Sequence, residues 1–333
     1  MGDAKKVALV TGGAGFIGSH MVDLLLKENI RVRVLDNFTG GREENLSNQK
    51  GNPLLEIFRA DIRDSANNSE AFANVDYVFH FAGIGDIVPS IESPSEYMDV
   101  NVQGTVAVLE ACREKNIKKF VYAASSSCYG LANTPTDENH PISPQYPYAL
   151  SKYLGEQAAL HWNVVYGLPV NTIRIFNAYG PRYRTTGAYG SVIGVFFKQC
   201  LEKAPLTIVG DGTQSRDFIH VKDVARAFFL AAESKVTGEV FNLGAGNPQT
   251  VNKLASMIGG KTVSIPNRPG EPKCTWANIT KICTVLGWNQ KISFEIGISE
   301  MLNNIDEWRD APLWDEKSIE GATKKWFEYL GNN

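Results

Sequence analysis

The sequence has few of the residues that build disulfide frameworks and metal centres. Its 333 residues include five cysteines and five histidines. No two cysteines stand in C-x-x-C spacing, and the histidines are scattered without metal-ligand spacing. We therefore predict no metal site, no disulfide framework and a reducing, cytoplasmic setting. The cysteines are Cys112, Cys128, Cys200, Cys274 and Cys283.

Strong charge and long apolar runs are missing as well. The net charge is −3 and there is no basic run, so a nucleic-acid partner is not predicted. No segment approaches membrane-spanning length, and the opening MGDAKKVALV lacks the apolar stretch of a signal peptide. A membrane partner is therefore not expected, and the chain has ample length for one large or two closely joined domains.

What the sequence does contain is a glycine-rich turn near its beginning. The run VALVTGGAGFIGSH places Gly12, Gly15 and Gly18 between an apolar strand and a helix. In that context the first glycine permits a tight turn, the second lets the backbone approach a pyrophosphate, and the third lets the helix pack on the strand. The N–H groups at the helix start then hold the phosphates. The turn, with the adjoining Phe16 and Ile17, predicts a dinucleotide-binding site.

Asp36 indicates which dinucleotide binds. It ends a second predicted strand, eighteen residues past Gly18. A carboxylate there can accept hydrogen bonds from the ribose hydroxyls and repels a 2′-phosphate, so NAD is favoured. The nearby Arg33 and Arg42 leave NADP as the alternative.

Short β-branched runs alternate with segments of helical period over the first half of the chain. This alternation predicts a doubly wound, Rossmann-like parallel sheet with helices on both faces. Shorter elements separated by turn signals follow, so we assign a dinucleotide-binding domain to 1–176 and a smaller, mainly substrate-binding α/β domain to 177–333. A strand near 240–244 is expected to rejoin the first sheet, and Ser318–Leu330 to form an amphipathic helix packed on the same subunit. The predicted strands of the first half are Val7–Val10, Val32–Leu35, Leu55–Phe58, Tyr77–Phe81, Lys119–Ala123 and Val170–Ile175.

A candidate catalytic group combines a serine cluster with a tyrosine–lysine pair. Ser125 and Ser126 follow a predicted parallel strand, at the sheet edge where ligands bind in such folds. Tyr148 and Lys152 stand four residues apart in a predicted helix. A phenol is a weak base at pH 7, but a nearby ammonium and a positive nicotinamide favour the phenolate. We interpret these residues as a hydride-transfer site; an ordinary surface helix beside a serine-rich loop is the alternative.

An ordered series of motifs resembles the extended short-chain dehydrogenase/reductases, in particular their NAD-dependent epimerase/dehydratase branch. The resemblance extends to about Trp288 and implies NAD in the first domain and a nucleoside-diphosphate sugar in the second. The motifs are TGGAGFIGSH, Asp36-Asn37, Asp61-Ile62, HFAG, Asn101-Val102, SSSCYG, YPYALSK, RIFNAYGPR, GDGTQSRDFIHVKDV, FNLG and RPGE.

The resemblance also implies which residues contact the ligands. Arg216 and Arg268 would clamp the substrate phosphates, because a guanidinium matches a phosphate bidentately. For Arg216, an ion pair with Asp217 or Asp223 is the alternative. The implied cofactor contacts are Asn37, Asp61, Ile62, Phe81, Ala82, Gly83 and Asn101, with Tyr148 and Lys152; the implied substrate contacts are Asn177, Arg216, Arg268, Glu271 and Thr275.

The residues before Tyr129-Gly130 separate the reaction types of this family. Its 4,6-dehydratases carry an Asp-Glu pair there and its decarboxylases usually a Glu, whereas this chain has Ser126 and Ser127. The resemblance is then to the UDP-glucose 4-epimerases, and it implies a 4-epimerase of a UDP-hexose or UDP-N-acetylhexosamine that works through a 4-keto sugar. A nucleotide-sugar dehydrogenase or reductase, an epimerase of a GDP-, CDP- or dTDP-sugar, and a non-catalytic relative are the alternatives.

The resemblance implies that Thr275 influences which sugars fit, because it aligns with a residue that acts as a gate beside the sugar in the 4-epimerases. A small residue there implies room for an N-acetyl group; the alternative is a strand residue remote from the sugar. The chain departs from the family in the loop 83–87, where Asp86 is expected near the sugar, and in the tail Trp308–Leu330. These departures leave the sugar open.

The resemblance further implies a homodimer. The predicted helices Asp99–Glu114 and Tyr148–Tyr166 resemble the pair that forms an intersubunit four-helix bundle in this family. Packing within the monomer is the alternative for each apolar residue concerned. Those residues are Ala149, Leu150, Tyr153, Ala158 and Leu160.

Overall fold

The computed structural model describes residues 5–183 and 191–331. The strands in these ranges are β1 (Val7–Thr11), β2 (Arg31–Asp36), β3 (Leu55–Arg59), β4 (Tyr77–His80), β5 (Lys119–Ser125), β6 (Val170–Ile175), β7 (Asn177–Tyr179), β8 (Leu206–Val209), β9 (Ser215–Arg216), β10 (Phe218–His220), β11 (Glu239–Leu243), β12 (Gln249–Thr250) and β13 (Thr262–Ile265). The α-helices are α1 (Phe16–Lys27), α2 (Ile87–Glu92), α3 (Pro94–Met98), α4 (Gly104–Glu114), α5 (Pro147–Tyr166), α6 (Val192–Leu201), α7 (Val221–Glu233), α8 (Val251–Ile258), α9 (Thr280–Leu286), α10 (Phe294–Asn303) and α11 (Glu316–Leu330).

A parallel sheet of seven strands forms the main body, and it confirms the predicted fold class. Its order is β11-β6-β5-β4-β1-β2-β3, with every neighbouring pair parallel. From β1 the chain first adds β2 and β3 on one side, then β4, β5, β6 and β11 on the other. The order therefore reverses between β1 and β4, and in open α/β sheets ligands bind beyond the carboxyl ends of the strands at such a reversal.

Successive side chains of the strands point to opposite faces of the sheet, and each face has its own apolar core. Ala8 and Val10 of β1 point into a core shared with α1 and α7, while Leu9 joins the core under α4 and α5. Every residue of β5 and β6 is buried. This is the pattern of central parallel strands that are covered on both faces.

The second half of the chain contributes to both bodies. A smaller unit forms around a third apolar core from α6, α8 and α10, with the strand pairs β7–β10, β8–β13 and β9–β12. In contrast, α7 and α9 pack in a core of the large sheet, and β11 is its edge strand. The chain thus leaves the large sheet after β6 and returns to it twice, first with α7 and β11 and then with α9.

Two features of the predicted dimer helices differ in the structure. The first predicted helix begins with a π-helical stretch, Asp99–Gln103, and only then continues as α4. In α5, Ala149 is fully buried in its own subunit, so it supplies no surface to a partner. Within the described ranges, none of the helices combines the length and the apolar character needed to cross a membrane.

A buried ion pair ties α5 to the sheet. The guanidinium of Arg174 on β6 donates two hydrogen bonds to the carboxylate of Glu156, at 2.8 and 2.6 Å, and both side chains are almost completely buried. Arg174 also donates to the Tyr129 hydroxyl at 2.7 Å. Because both charges are shielded from water, separating them would leave each one buried without a counter-charge. The pair therefore fixes the position of α5 against β6.

We predict that Glu156→Gln lowers the free energy of unfolding by about 3 kcal/mol, since it leaves the Arg174 charge buried without its counter-charge. Urea denaturation followed by circular dichroism measures the loss. Glu295→Gln is the matched control: it removes an ion pair with Lys253 that lies at the surface, and its effect should stay below about 1 kcal/mol. Equal effects of the two substitutions would contradict the assignment.

Candidate active site

The glycine turn lies at the point where the strand order reverses. Gly12 has a φ of +67°, and a Cβ there would come within 2.7 Å of the Ala82 backbone nitrogen, in the loop after β4. A Cβ at Gly18 would collide with the Gly12 carbonyl oxygen. The turn therefore requires glycine at both positions, and α1 begins directly behind it with Gly15 as its N-cap.

Asp36 connects the end of β2 to this turn. Its carboxylate accepts hydrogen bonds from the backbone N–H groups of Ala14, at 2.9 Å, and Phe38, at 2.8 Å. Burial raises the pKa of Asp36, and these two bonds oppose the rise. Arg33 points elsewhere, to Glu56 and to backbone carbonyl groups of the 70–73 turn. The Arg33 side chain is therefore bound away from Asp36. Of the two arginines on which the NADP alternative rested, Arg33 no longer supports it.

Further along the same edge, Asp61 forms a polar cluster with Asn37 and Arg63. The Asn37 amide donates to Asp61 at 2.8 Å, and Arg63 makes two side-chain bonds to it at 2.9 Å. The Arg63 guanidinium holds the pKa of Asp61 far below its usual range, so the carboxylate is ionised and acts only as an acceptor. Ile62 beside it is buried against Gly104, at the start of α4.

The loop after β4 is held by Asn101. The side-chain amide of Asn101 accepts from the Ile84 N–H at 2.8 Å and donates to the Ile84 carbonyl oxygen at 3.0 Å. It also donates to Ser151 on α5, at 2.9 Å. At Gly83 a Cβ would lie 2.8 Å from the Asn101 Oδ1. Phe81 turns to the core, where its ring packs on Phe228 at 4.6 Å.

Tyr148 forms a side-chain hydrogen bond with Ser125, at the end of β5. Burial raises the pKa of the Tyr148 phenol, a hydrogen bond with Ser125 opposes the rise, and the Asp86 carboxylate adds to it. Asp86 belongs to the loop between β4 and α2. Ser125 also caps the turn that begins at Ser126, because its hydroxyl accepts from the Ser127 N–H at 3.2 Å.

Lys152 lies one helical turn beyond Tyr148 and is buried. Its ammonium sits 4.6 Å from the centre of the Tyr122 ring, and burial lowers the pKa of Lys152 to about 8, with Glu156 opposing the shift. A Cβ at Gly83 would lie 3.8 Å from its Nζ. In this structure the hydrogen bond with Ser125, rather than the Lys152 ammonium, opposes the rise in the Tyr148 pKa. Lys152 thus faces the predicted cofactor edge.

A cavity of about 250 Å³ opens in the smaller unit. Asn177, Arg216, Arg268 and Glu271 line it together, so four of the five predicted substrate residues meet at one site. Its apolar lining residues suit a planar base, and its two arginines suit phosphates. The wall residues also include Phe176, Ala178, Ile193, Val209, Phe218 and Val251.

Glu271 bridges the two arginines. Its carboxylate accepts a hydrogen bond from Arg216 at 2.6 Å and lies 3.8 Å from the Arg268 guanidinium. Arg216 therefore does form an ion pair, but neither Asp217 nor Asp223 is its partner. Asp217 is buried and accepts backbone N–H groups of residues 245, 246 and 277 instead. The cluster of Arg216, Glu271 and Arg268 keeps a net positive charge beside the cavity.

Thr275 lies next to this cavity. Its hydroxyl donates to the Asn177 side-chain oxygen at 2.8 Å and accepts from the Asp217 N–H at 3.2 Å. It is therefore not remote from the predicted substrate residues, although its side chain acts through Asn177 rather than as part of the cavity wall.

Comparison with known proteins places this architecture in a family. Residues 8–244, well over half of the chain, match the family model described as "NAD dependent epimerase/dehydratase family". The chain belongs to this family. The prediction of NAD from Asp36 agrees with it.

Individual relatives in the family resemble the chain over nearly its whole length. A protein named putative UDP-glucose 4-epimerase from Methanocaldococcus jannaschii is 40% identical over 304 residues, 89% of this chain and 97% of the relative. The structure of UDP-N-acetylglucosamine 4-epimerase from Methanobrevibacter ruminantium M1, in complex with UDP-N-acetylmuramic acid, matches with a TM-score of 0.84 and 33% identity, covering 92% and 98% of the two chains. That of UDP-glucuronic acid 4-epimerase from Bacillus cereus, with UDP-glucuronic acid and NAD, has a TM-score of 0.84 and 32% identity, covering 90% and 99%.

The residues at the sheet edge fit NAD. The cradle beside Gly12 and Gly18 is closed to any side chain, and it presents the N-terminus of α1, which suits a pyrophosphate. Asp36 offers a carboxylate to ribose hydroxyl groups. In the part of the chain that the structure describes, no cluster of three or more potential metal ligands is present.

Two features of the site were not foreseen from the sequence. Trp326 of α11 lies 6.5 Å, ring to ring, from Tyr146, and Tyr146 stacks on Tyr148 at 6.4 Å. The amphipathic period of α11 identified Trp326 only as a packing residue. The Glu156–Arg174 pair joins residues eighteen positions apart, and no local pattern indicated it.

We predict that Tyr148→Phe lowers the turnover of a nucleotide sugar by a factor of about 10² or more, because it removes the proton-transferring hydroxyl. The amount of NAD retained after purification should not change. Tyr166→Phe, on the same helix but exposed at its far end, should keep the parent rate. Full turnover by the Tyr148 variant would refute its role as the base.

Proposed function

We propose that this protein is an NAD-dependent 4-epimerase of UDP-sugars that works through a 4-keto intermediate. The observation that carries the proposal is the meeting of Tyr148 with Ser125 at the cofactor edge, while Arg216, Glu271 and Arg268 line a separate cavity. The names of the relatives in the same family support the substrate class. A nucleotide-sugar dehydrogenase or reductase, or an epimerase of a GDP-, CDP- or dTDP-sugar, is the alternative.

In this mechanism Tyr148 moves the proton of the sugar 4-hydroxyl. Its phenolate accepts that proton, and the Ser125 hydroxyl donates a hydrogen bond to the same sugar oxygen. Lys152, whose pKa burial lowers to about 8, still carries a positive charge at neutral pH and favours the phenolate when the ligands are in place. Bound NAD supplies reversible acceptance of the hydride from C4. Tyr148 returns the proton once the sugar presents its other face.

The phosphate clamp keeps the intermediate from leaving between the two halves of the reaction. Arg216 and Arg268 would each bind diphosphate oxygens, and Asn177 would bond to the same region. Glu271 holds Arg216 at 2.6 Å before any substrate arrives, so the clamp is arranged in advance. A keto sugar that is anchored only through its diphosphate can rotate within the site and present its other face to the cofactor.

The residues near Tyr148 disfavour elimination of water. Ser126 and Ser127 occupy the positions where the family's dehydratases carry an Asp-Glu pair, and a hydroxyl is a poor acid and a poor base at neutral pH. Ser126 opens the turn that Ser125 caps, next to the reacting group. The chain therefore keeps the machinery for removing and returning a hydride, which an epimerase needs.

We further propose that N-acetylated hexoses are accepted. Thr275 bonds to Asn177, which lines the cavity, and at the position that the resemblance assigns to the gate a threonine is much smaller than a tyrosine. Purified protein mixed with UDP-glucose or UDP-N-acetylglucosamine should form the 4-epimer of each, without net production of reduced cofactor; NMR identifies the inverted carbon. Net accumulation of NADH, or inversion at C2, would contradict the proposal.

The substitution Thr275→Tyr tests the gate. It should reduce turnover of the N-acetylated substrate relative to the plain hexose, because the added ring takes up the volume that the acetyl group needs. Thr275→Ser keeps the hydroxyl that bonds to Asn177 and should leave the ratio unchanged. An unchanged ratio in the tyrosine variant would mean that Thr275 is not a gate.

A homodimer joined through α4 and α5 is also proposed. The two helices pack side by side, and Leu150 and Leu154, one turn apart on α5, are each 38% exposed. Tyr153 and Leu160 are partly exposed. Exposed leucines at this spacing provide an apolar stripe that a second copy can cover. We place the dimer in the cytoplasm, where reducing conditions keep thiols in the free state that all five cysteines have here.

Light scattering on the parent should give about twice the chain mass of 36.6 kDa. Leu154→Glu should shift the protein towards the monomer, because it places a charge in the buried contact. Leu313→Glu changes a leucine of similar exposure elsewhere on the surface and should leave the dimer intact. A parent that is monomeric at micromolar concentration would rule out the proposed assembly.

A further inference from the structure

The C-terminal helix α11 packs beside the active site. It begins with a capping box in which Asp315 accepts from the Ser318 N–H and the Ser318 side chain accepts from the Asp315 N–H, each at 2.8 Å. Its buried residues Ile319, Thr323 and Trp326 recur every three or four positions and form one face. The helix packs against α2, which follows directly on the loop that contains Asp86.

Trp326 makes three contacts from this face. Its indole N–H donates a hydrogen bond to the Pro269 carbonyl oxygen at 2.7 Å. The guanidinium carbon of Arg268 lies 5.8 Å from the centre of its ring, within the range of a cation–π interaction. The third contact is with Tyr146, ring to ring, at 6.5 Å.

These contacts place Trp326 between the two halves of the site. On one side Arg268 lies 3.8 Å from Glu271, the residue that holds Arg216. On the other side Tyr146 stacks on Tyr148 with nearly parallel rings. Arg268 and Pro269 lie in the described segment 266–279, which contains no named helix or strand between β13 and α9. The orientation of Arg268 therefore depends on what this segment packs against, and Trp326 supplies both a hydrogen bond and an aromatic face.

We propose that Trp326 is a positioning residue that holds Arg268 in its phosphate-binding orientation, so that α11 belongs to the substrate site. The inference rests on the proposed function, because it requires that Arg268 bind the substrate diphosphate. A guanidinium stacks on an aromatic face while its N–H groups stay directed outward in the plane. Arg268 held in this way loses less side-chain freedom when phosphate binds, and affinity rises accordingly.

The test compares substitutions that differ in the aromatic face. W326F keeps a ring and loses the N–H, whereas W326L loses both and keeps much of the apolar volume. Titration calorimetry of the NAD-loaded enzyme with UDP should show about tenfold weaker binding for W326L and at most about threefold for W326F. The KM for the UDP-sugar should rise in parallel while kcat changes much less, which general loss of structure would not produce.

A double-mutant cycle asks whether Trp326 acts through Arg268. In the R268A background, W326L should weaken UDP binding no further, because the group it positions is gone. F327L is the matched control, since Phe327 is the next residue of the same helix and is 40% exposed; its UDP affinity should equal that of the parent. If W326L does not retain NAD, W326M takes its place, because methionine adapts to an irregular space.

The outcomes separate the two levels of the proposal. A parent that binds no UDP would overturn both the UDP-sugar function and this inference. A parent that binds UDP with the same affinity as W326L would overturn only the role of Trp326, and so would losses that add fully in the R268A/W326L double variant.

Discussion

The whole site depends on how closely two loops approach each other where the strand order reverses. A Cβ at Gly12 would come within 2.7 Å of the Ala82 backbone, so the loops after β1 and β4 are in direct backbone contact. Because of this contact the start of α1 and the Gly83 loop face the same crevice. Asn101 then joins that loop to α5 through Ser151, and α5 carries Tyr148 and Lys152. A side chain at Gly12 would force these parts away from one another.

Burial, rather than a pair of opposite charges, is the largest cause of the pKa shifts of Tyr148 and Lys152. Burial raises the pKa of Tyr148 and lowers that of Lys152 to about 8, so without ligands the phenol keeps its proton at neutral pH. The hydrogen bond with Ser125 lowers the pKa of the Tyr148 phenol, and the Asp86 carboxylate raises it. A bound nicotinamide adds positive charge at this location and favours the phenolate. The base is therefore expected to become effective when the cofactor is in place.

Features that depend on the local spacing of residues could be predicted from the sequence. The alternation of β-branched runs with helical segments, and the three glycines between a strand and a helix, predicted the fold class. Asp36 and the Tyr148–Lys152 spacing were enough to nominate candidate residues at the sheet edge. Contacts between distant segments could not be predicted in this way. The ion-pair partner of Arg216 is Glu271, fifty-five positions away, whereas the alternative considered from the sequence was a pair with the nearer Asp217 or Asp223. Ala149, expected at a subunit surface, is buried because α5 turns that side to the body.

A 4-epimerase has to satisfy two opposing requirements, and the division of this chain into two bodies meets them. The diphosphate has to stay bound while the sugar exposes first one face and then the other to the same base. Here Tyr148 is fixed by α5, and α5 is fixed by the buried Glu156–Arg174 pair. The arginine clamp is fixed separately, by Glu271 in the smaller unit. In the proposed mechanism the anchor and the base are thus held by different parts of the protein, so the sugar between them would rotate without disturbing either.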